Sequence, residues 1–238
     1  MSTTPRSGRA NDALRTIQFE RGAVPYAEGS CMITTGNTRV LCTASVELSL
    51  PPWKKGSTSG WVTAEYSMLP RATHTRNSRE RSKIGGRTQE IQRLIGRALR
   101  SAFDMELLGP RTILIDCDVL VADGGTRTAA ITGAAVAVHD ACSWLMREGH
   151  VSANPMRQLV AATSVGIIDG EPRLDLEYTE DVRADVDMNI VALEGGGLVE
   201  VQGTAEHNPF SRAELDRLVT LGTDGIAQLL KLQRAALA

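Results

Sequence analysis

The sequence predicts an α+β protein built from two successive β-then-α halves, roughly residues 10–150 and 158–238, packed as one domain over residues 1–238. Three observations carry this reading. Short strand-like segments rich in β-branched residues fill the first third and return after residue 158. Each strand-rich region leads into a long segment with apolar residues at helical spacing. Gly124-Gly125 marks a strand-to-helix turn between the two kinds of segment in the first half. At 238 residues the chain can bury a sizeable core.

The elements follow in order. Ser30 to Val46 reads as two strands joined at Gly36-Asn37, a hairpin signal. Residues 51–60 form a loop and Trp61–Tyr66 a further strand. Residues 71–86 show no apolar period, many basic side chains and Gly85-Gly86, and read as a mobile loop. The next helix has its apolar stripe at Ile91, Leu94, Ile95, Ala98, Leu99, Ala102 and Phe103. Ile113, Leu114, Ile115, Val119 and Leu120 mark a buried strand, and Ile131, Ala134, Ala135, Val138, Cys142, Leu145 and Met146 a helix ending near Gly149. The second half predicts strands at 159–168, 174–178, 184–193 and 198–204, with turns at Asp169-Gly170 and Glu194–Gly197. Ser211 and Glu214 form a capping box that opens a last helix, which Gly222 and Gly225 should weaken midway.

Several classes of protein are disfavoured. No apolar run approaches the roughly 18 residues of a spanning helix, so no membrane partner is expected. The first nine residues hold no apolar stretch of a secretory signal. Cys31, Cys42, Cys117 and Cys142 lie far apart and form no CxxC, which fits small buried hydrophobes in a reducing, cytoplasmic setting. The chain shows no nucleophile elbow and no Ser-His-Asp or Cys-His set, and His139 falls mid-helix among packed residues.

The net charge of -2 conceals two opposed blocks. Residues 71–100 carry eight Arg and Lys83 against Glu80 and Glu90, a net of +7, leaving -9 for the rest. Residues 169–187 carry eight acids against Arg173 and Arg183, a net of -6. The first reads as a polyanion contact, with Arg71, Arg76, Arg79, Arg81 and Lys83 as phosphate-backbone grips. Aromatic residues are 4% of the chain and none interleaves with that block, so base stacking is a poor candidate for the main grip on a nucleic-acid polyanion. The second block reads as a possible cation site.

Three constellations could carry chemistry. Gly124-Gly125-Thr126-Arg127 sets free N–H groups, a hydroxyl and a guanidinium fork at a helix start, an oxyanion pocket without the Lys-Ser/Thr pair of a Walker loop. Arg87 stands at the start of the arginine-rich helix, where it can face an anion. On a strand over 184–193, Asp185, Asp187 and Asn189 share a face, and like charges about 7 Å apart there call for a cation or a basic partner. Asp181 lies just before that strand. One chemistry uses an oxyanion pocket, a carboxylate cluster and a polyanion grip together: attack of inorganic phosphate on a phosphodiester, which needs no side-chain nucleophile.

At these residues the chain resembles the RNase PH family of phosphorolytic nucleotidyltransferases. The resemblance runs from Gly8-Arg9 to about Leu218 and rests on Gly36–Val46, Gly60–Tyr66, Met68–Arg76, Gly86–Arg97, Asp116–Val119, Ala122–Thr128, Asp185–Asn189 and Glu200–Glu206. It implies a fold of two units related to ribosomal protein S5 domain 2. It implies phosphate binding by Arg87, Gly125, Thr126 and Arg127, and metal or catalytic carboxylates at Asp181 and Asp187 with Asp185 as a helper. The expected ion is Mg²⁺ or Mn²⁺, with inorganic phosphate as co-substrate. The expected partners are precursor tRNA, other structured RNA 3′ ends and five further copies in a hexameric trimer of dimers. The expected activity is 3′-to-5′ trimming that releases nucleoside diphosphates. The residues leave Asp187 open as metal ligand or as acid for the leaving 3′ oxygen. A non-catalytic RNA-binding ring subunit and a hydrolytic metal-dependent nuclease are the competing readings.

Overall fold

The computed structural model describes residue 6, residues 8–80 and residues 83–238. The first half holds a five-stranded sheet of β1 (Ile17–Arg21), β2 (Gly29–Thr35), β3 (Thr38–Glu47), β4 (Trp61–Met68) and β5 (Thr112–Val121), in the order β1-β2-β3-β5-β4. Neighbours are antiparallel except β4 and β5, which are parallel and joined through α1 (Gly86–Arg100) and the short α2 (Met105–Leu108). The hairpin turn falls where expected, with Thr35 opposite Thr38 and Gly36 at φ +57°. β5 alternates rather than being buried throughout: Ile113, Ile115, Cys117 and Val119 point into the core, and Asp116 is exposed.

The second half holds β6 (Val160–Ile168), β7 (Glu171–Leu174), β8 (Val186–Leu193) and β9 (Leu198–Ala205), in the antiparallel order β7-β6-β8-β9. The long α3 (Thr126–Arg147) packs on β2 and β3 with one side and on β6 with another, so it is the shared core of both halves. By length and composition α3 could cross a membrane, which the sequence reading did not foresee; 72% of its apolar window is buried inside the protein, as in a core helix. Gly133 permits its close approach to the sheet, since a Cβ there would lie 2.6 Å from Ile33 Cγ2. One hydrophobic cluster joins residues from both halves, and all four cysteines are buried. Burial pushes the Cys31 and Cys142 thiols up to about 12, which leaves them inert.

α5 (Arg212–Leu237) starts at the Ser211–Glu214 capping box and covers the second sheet. It runs unbroken through Gly222 and Gly225. The expected weak point is a packing device: Cβ atoms there would lie 2.4 Å from Ile190 Cδ1 and 2.6 Å from Leu174 Cδ1. The expected strand at 174–178 is also corrected. β7 ends at Leu174, Asp175 turns the chain at φ +55°, and Glu177 caps a single turn, α4 (Tyr178–Asp181). The buried pair Leu174 and Leu176 mimics strand alternation because the turn between them buries both, Leu174 in the main core and Leu176 in a small cluster with Ile168 and Ala184.

That turn is fastened by buried charge. Arg15 pairs with Asp175 at 2.7 Å, Arg9 with Asp175 at 3.3 Å, Arg6 with Glu180 at 2.6 Å and Arg173 with Glu180 at 3.1 Å. Two acids of the negative block are thereby structural.

Candidate active site

The Gly-Gly turn is built from its back. Arg15 Nη1 donates to the Asp123 carbonyl at 2.6 Å and Nη2 to the Gly124 carbonyl at 3.4 Å. Thr38 Oγ1 donates to the Gly124 carbonyl at 2.8 Å and accepts from the Asp123 N–H at 2.9 Å. Gly124 and Gly125 sit at φ +75° and +64°. A Cβ on Gly124 would lie 2.5 Å from the Leu176 carbonyl oxygen, so glycine is required there by both conformation and space. Gly125 is the N-cap of α3, and no side chain caps the helix. Its first N–H groups and the positive end of its dipole therefore face open space.

That space is a cavity of about 510 Å³ lined by Arg87, Gly124, Gly125, Thr126, Arg127, Asp181 and Asp187. The structure thus brings the phosphate-binding candidates and two of the three carboxylates to one place, from α1, α3, α4 and β8. Tyr66 Oη donates to Thr126 Oγ1 at 2.8 Å, which leaves the Thr126 proton free to point at an anion. Burial raises the Tyr66 phenol, against the opposing pull of Arg87 and Arg127.

Neither Asp181 nor Asp187 makes a side-chain hydrogen bond among the described residues. Burial comes first in raising both. Asp187 reaches about 6, with Asp181 and Glu206 adding to the rise and Arg127 and Arg87 opposing it. Asp181 is raised against the pull of Arg87 and Arg127. Two unpaired, partly desolvated carboxylates suit Mg²⁺, which takes one or two protein carboxylates and completes its shell with water and substrate phosphate. Among the described residues no group of three or more His, Cys, Asp or Glu could hold a metal by itself.

Asp185 does not line the cavity. β8 begins one residue later, and the Asp185 N–H and carbonyl bond to Ile167 and Glu206. The loop after β4 reaches the cavity with Thr73, His74, Thr75 and Asn77, and it is held by Asn77 N–H to the Pro70 carbonyl at 2.8 Å and Asn77 Nδ2 to Thr73 Oγ1 at 3.0 Å. Arg71, Arg76, Arg79 and Lys83 are exposed and make no ion pair among the described residues; Arg81 lies outside them. Sequence reasoning placed this loop against RNA through its basic residues, Arg76 among them, and did not single out Thr73, His74, Thr75, Asn77, Ser164 or Tyr178 as cavity residues. Tyr178, 51% exposed, puts an aromatic ring at the cavity wall, far from the basic block in sequence.

The fold sets an anion-facing helix start and two carboxylates in one cavity at the junction between two β-then-α halves, the layout of an enzyme site. Residues 13–143 match domain 1 of the 3′ exoribonuclease family and residues 158–225 match its domain 2. A ribonuclease PH from Methylorubrum populi is 57% identical over 234 residues, covering 98% of this chain and 99% of that protein. Among solved structures, rice Rrp46 superposes with a TM-score of 0.78 at 19% identity, covering 97% of this chain and 99% of that one. The Archaeoglobus fulgidus exosome with RNA bound to its active site gives 0.80 at 19% identity, covering 93% and 89%. These two likenesses concern the fold. The chain belongs to the 3′ exoribonuclease family, in its RNase PH type.

Proposed function

We propose that the cavity performs phosphorolysis of RNA 3′ ends. The activity is that of a phosphorolytic 3′-to-5′ exoribonuclease, run reversibly as a nucleotidyltransferase. The observation that carries the residue assignment is the uncapped α3 N-terminus with Arg127 and Arg87, set opposite two unpaired carboxylates in one cavity. Arg87, Arg127, the Thr126 hydroxyl and the Gly125 N–H hold inorganic phosphate. A phosphate oxygen attacks the terminal phosphodiester, the bond to the 3′ oxygen breaks, and a nucleoside diphosphate leaves. The shortened chain takes a proton on its new 3′ oxygen. Asp181 and Asp187 would hold Mg²⁺, which supplies charge neutralisation at the scissile phosphate when bound. Asp187, raised to about 6, can instead exchange a proton near neutral pH and serve the leaving oxygen.

The substrate is precursor tRNA and other structured RNA 3′ ends in the cytoplasm, gripped by the unpaired Arg71, Arg76, Arg79 and Lys83. The assembly is a homo-hexamer, a trimer of dimers, and light scattering should give six times the chain mass; a stable monomer would remove the ring. The test of the reaction uses tRNA with a short labelled 3′ extension and Mg²⁺, with and without phosphate. Diphosphates are expected only with phosphate, and Arg127→Ala should abolish them. Monophosphates formed without phosphate would make the enzyme a hydrolase, and tight tRNA binding with no product would make it a binding subunit.

A further inference from the structure

The two cavity arginines are held differently. Arg87 makes no hydrogen bond or ion pair among the described residues. Arg127 Nη1 donates to Glu90 Oε1 at 3.1 Å and to Gln202 Oε1 at 3.0 Å, and Gln202 Nε2 donates to the same Glu90 oxygen at 2.9 Å. This closed triangle ties α1, α3 and β9 together, so it spans both halves of the chain. It occupies one guanidinium nitrogen and, among the described residues, leaves Nη2 and Nε of Arg127 as the unbonded donors. Arg127 is only 16% exposed, and a fork fixed in this way binds an oxyanion without first losing its own freedom.

We infer that Glu90 and Gln202 are positioning residues for the attacking phosphate, acting through Arg127. Gln202 matters by its chemistry as much as its shape. It accepts from Arg127 with its oxygen and donates to Glu90 with its nitrogen, which a carboxylate at that position cannot do. The pair is exchangeable in principle: with the amide on α1 and the carboxylate on β9, Arg127 again finds two acceptors and the amide again donates to the carboxylate. The total charge is unchanged.

The inference rests on phosphate being the attacking group, and the experiment separates the two. KM for phosphate, KM for RNA and kcat are measured for the wild type, Gln202→Glu, Gln202→Ala and the double variant Glu90→Gln/Gln202→Glu. Gln202→Glu sets two carboxylates against each other and should raise KM for phosphate roughly tenfold, with KM for RNA little changed. Gln202→Ala should raise it in the same direction and serves if the first variant fails to fold. The double variant should return KM for phosphate to within roughly threefold of wild type. An unmoved KM for phosphate in Gln202→Ala, or a double variant no better than Gln202→Glu alone, overturns the positioning role. A wild type that works equally well without phosphate overturns the phosphorolytic reading instead.

Discussion

Asp187→Asn is expected to cut phosphorolysis sharply and, in the metal-free protein, to raise the melting temperature. Both halves of this expectation come from the same carboxyl group. Burial, then the neighbouring Asp181, pushes Asp187 up to about 6, so the fold disfavours its ionised form. The sign is that of a destabilising acid. Below the unfolded value of 3.8 the group is protonated in both states and has no effect. Between 3.8 and about 6 the unfolded chain ionises it and the folded one does not, so stability falls as pH rises. Above 6 the full penalty is in place, at most about 3 kcal/mol and more nearly 1–2 kcal/mol with solvent reaching the cavity. An amide removes that penalty. Thermal unfolding in chelator should show the gain at pH 8 and none near pH 4, and phosphate turnover should drop by roughly a hundredfold or more. A variant that loses stability at pH 8 would show that the carboxylate is satisfied in the resting site.

Asp175→Ala should be the most damaging single change to the fold, at about 3–5 kcal/mol, because it leaves Arg15 without its counter-charge in a buried site and takes from Arg9 one of its two, Glu180 remaining as the other. Global stabilities run about 5–15 kcal/mol, so this is a large fraction of the whole. Burial alone would raise Asp175. The hydrogen bonds and charge of Arg15, with Arg9, hold it below the ordinary carboxylate range instead. Its stabilisation is therefore present above pH 3.8 and lost as pH falls through the depressed folded value. The damage should reach the active site as well. Arg15 holds the Asp123 and Gly124 carbonyls, and freeing it loosens the Gly-Gly turn. Calorimetry and the KM for phosphate should both move. Asp175→Asn, which keeps an acceptor, should fall between the wild type and the alanine variant. Equal loss of stability in the two variants would mean that shape, not charge, holds the turn.

What the chain shows in one dimension is its local periods and its special turns. Ile91, Leu94 and Ile95 recur at helical spacing, and Gly124-Gly125 can only be a tight turn, so α1, α3 and the phosphate-binding candidates are legible. Pairing across distance is not. The acids of residues 169–187 look alike along the chain. Asp175 and Glu180 are claimed by arginines from positions 6, 9, 15 and 173, while Asp181 and Asp187 line the cavity without an ion pair among the described residues. Asp185 and Asp187 would share a face on a longer strand, but β8 starts between them. Glu90 counts in the sequence only as one negative charge within a basic helix. Its tie to Arg127 and Gln202 exists because α1 and β9, more than a hundred residues apart, meet at the helix start.

The placement of α3 also sets how rigid each wall of the cavity is. Its first turn presents the donors, and the rest of the same helix is wedged between two sheets. Amides in its buried stretch should exchange with solvent more slowly than those of the residues 73–77 segment, which is held by a few hydrogen bonds of its own. If RNA ends bind as proposed, the back wall is the fixed side of the site, and tolerance for different 3′-terminal nucleotides is expected to come from the loop side.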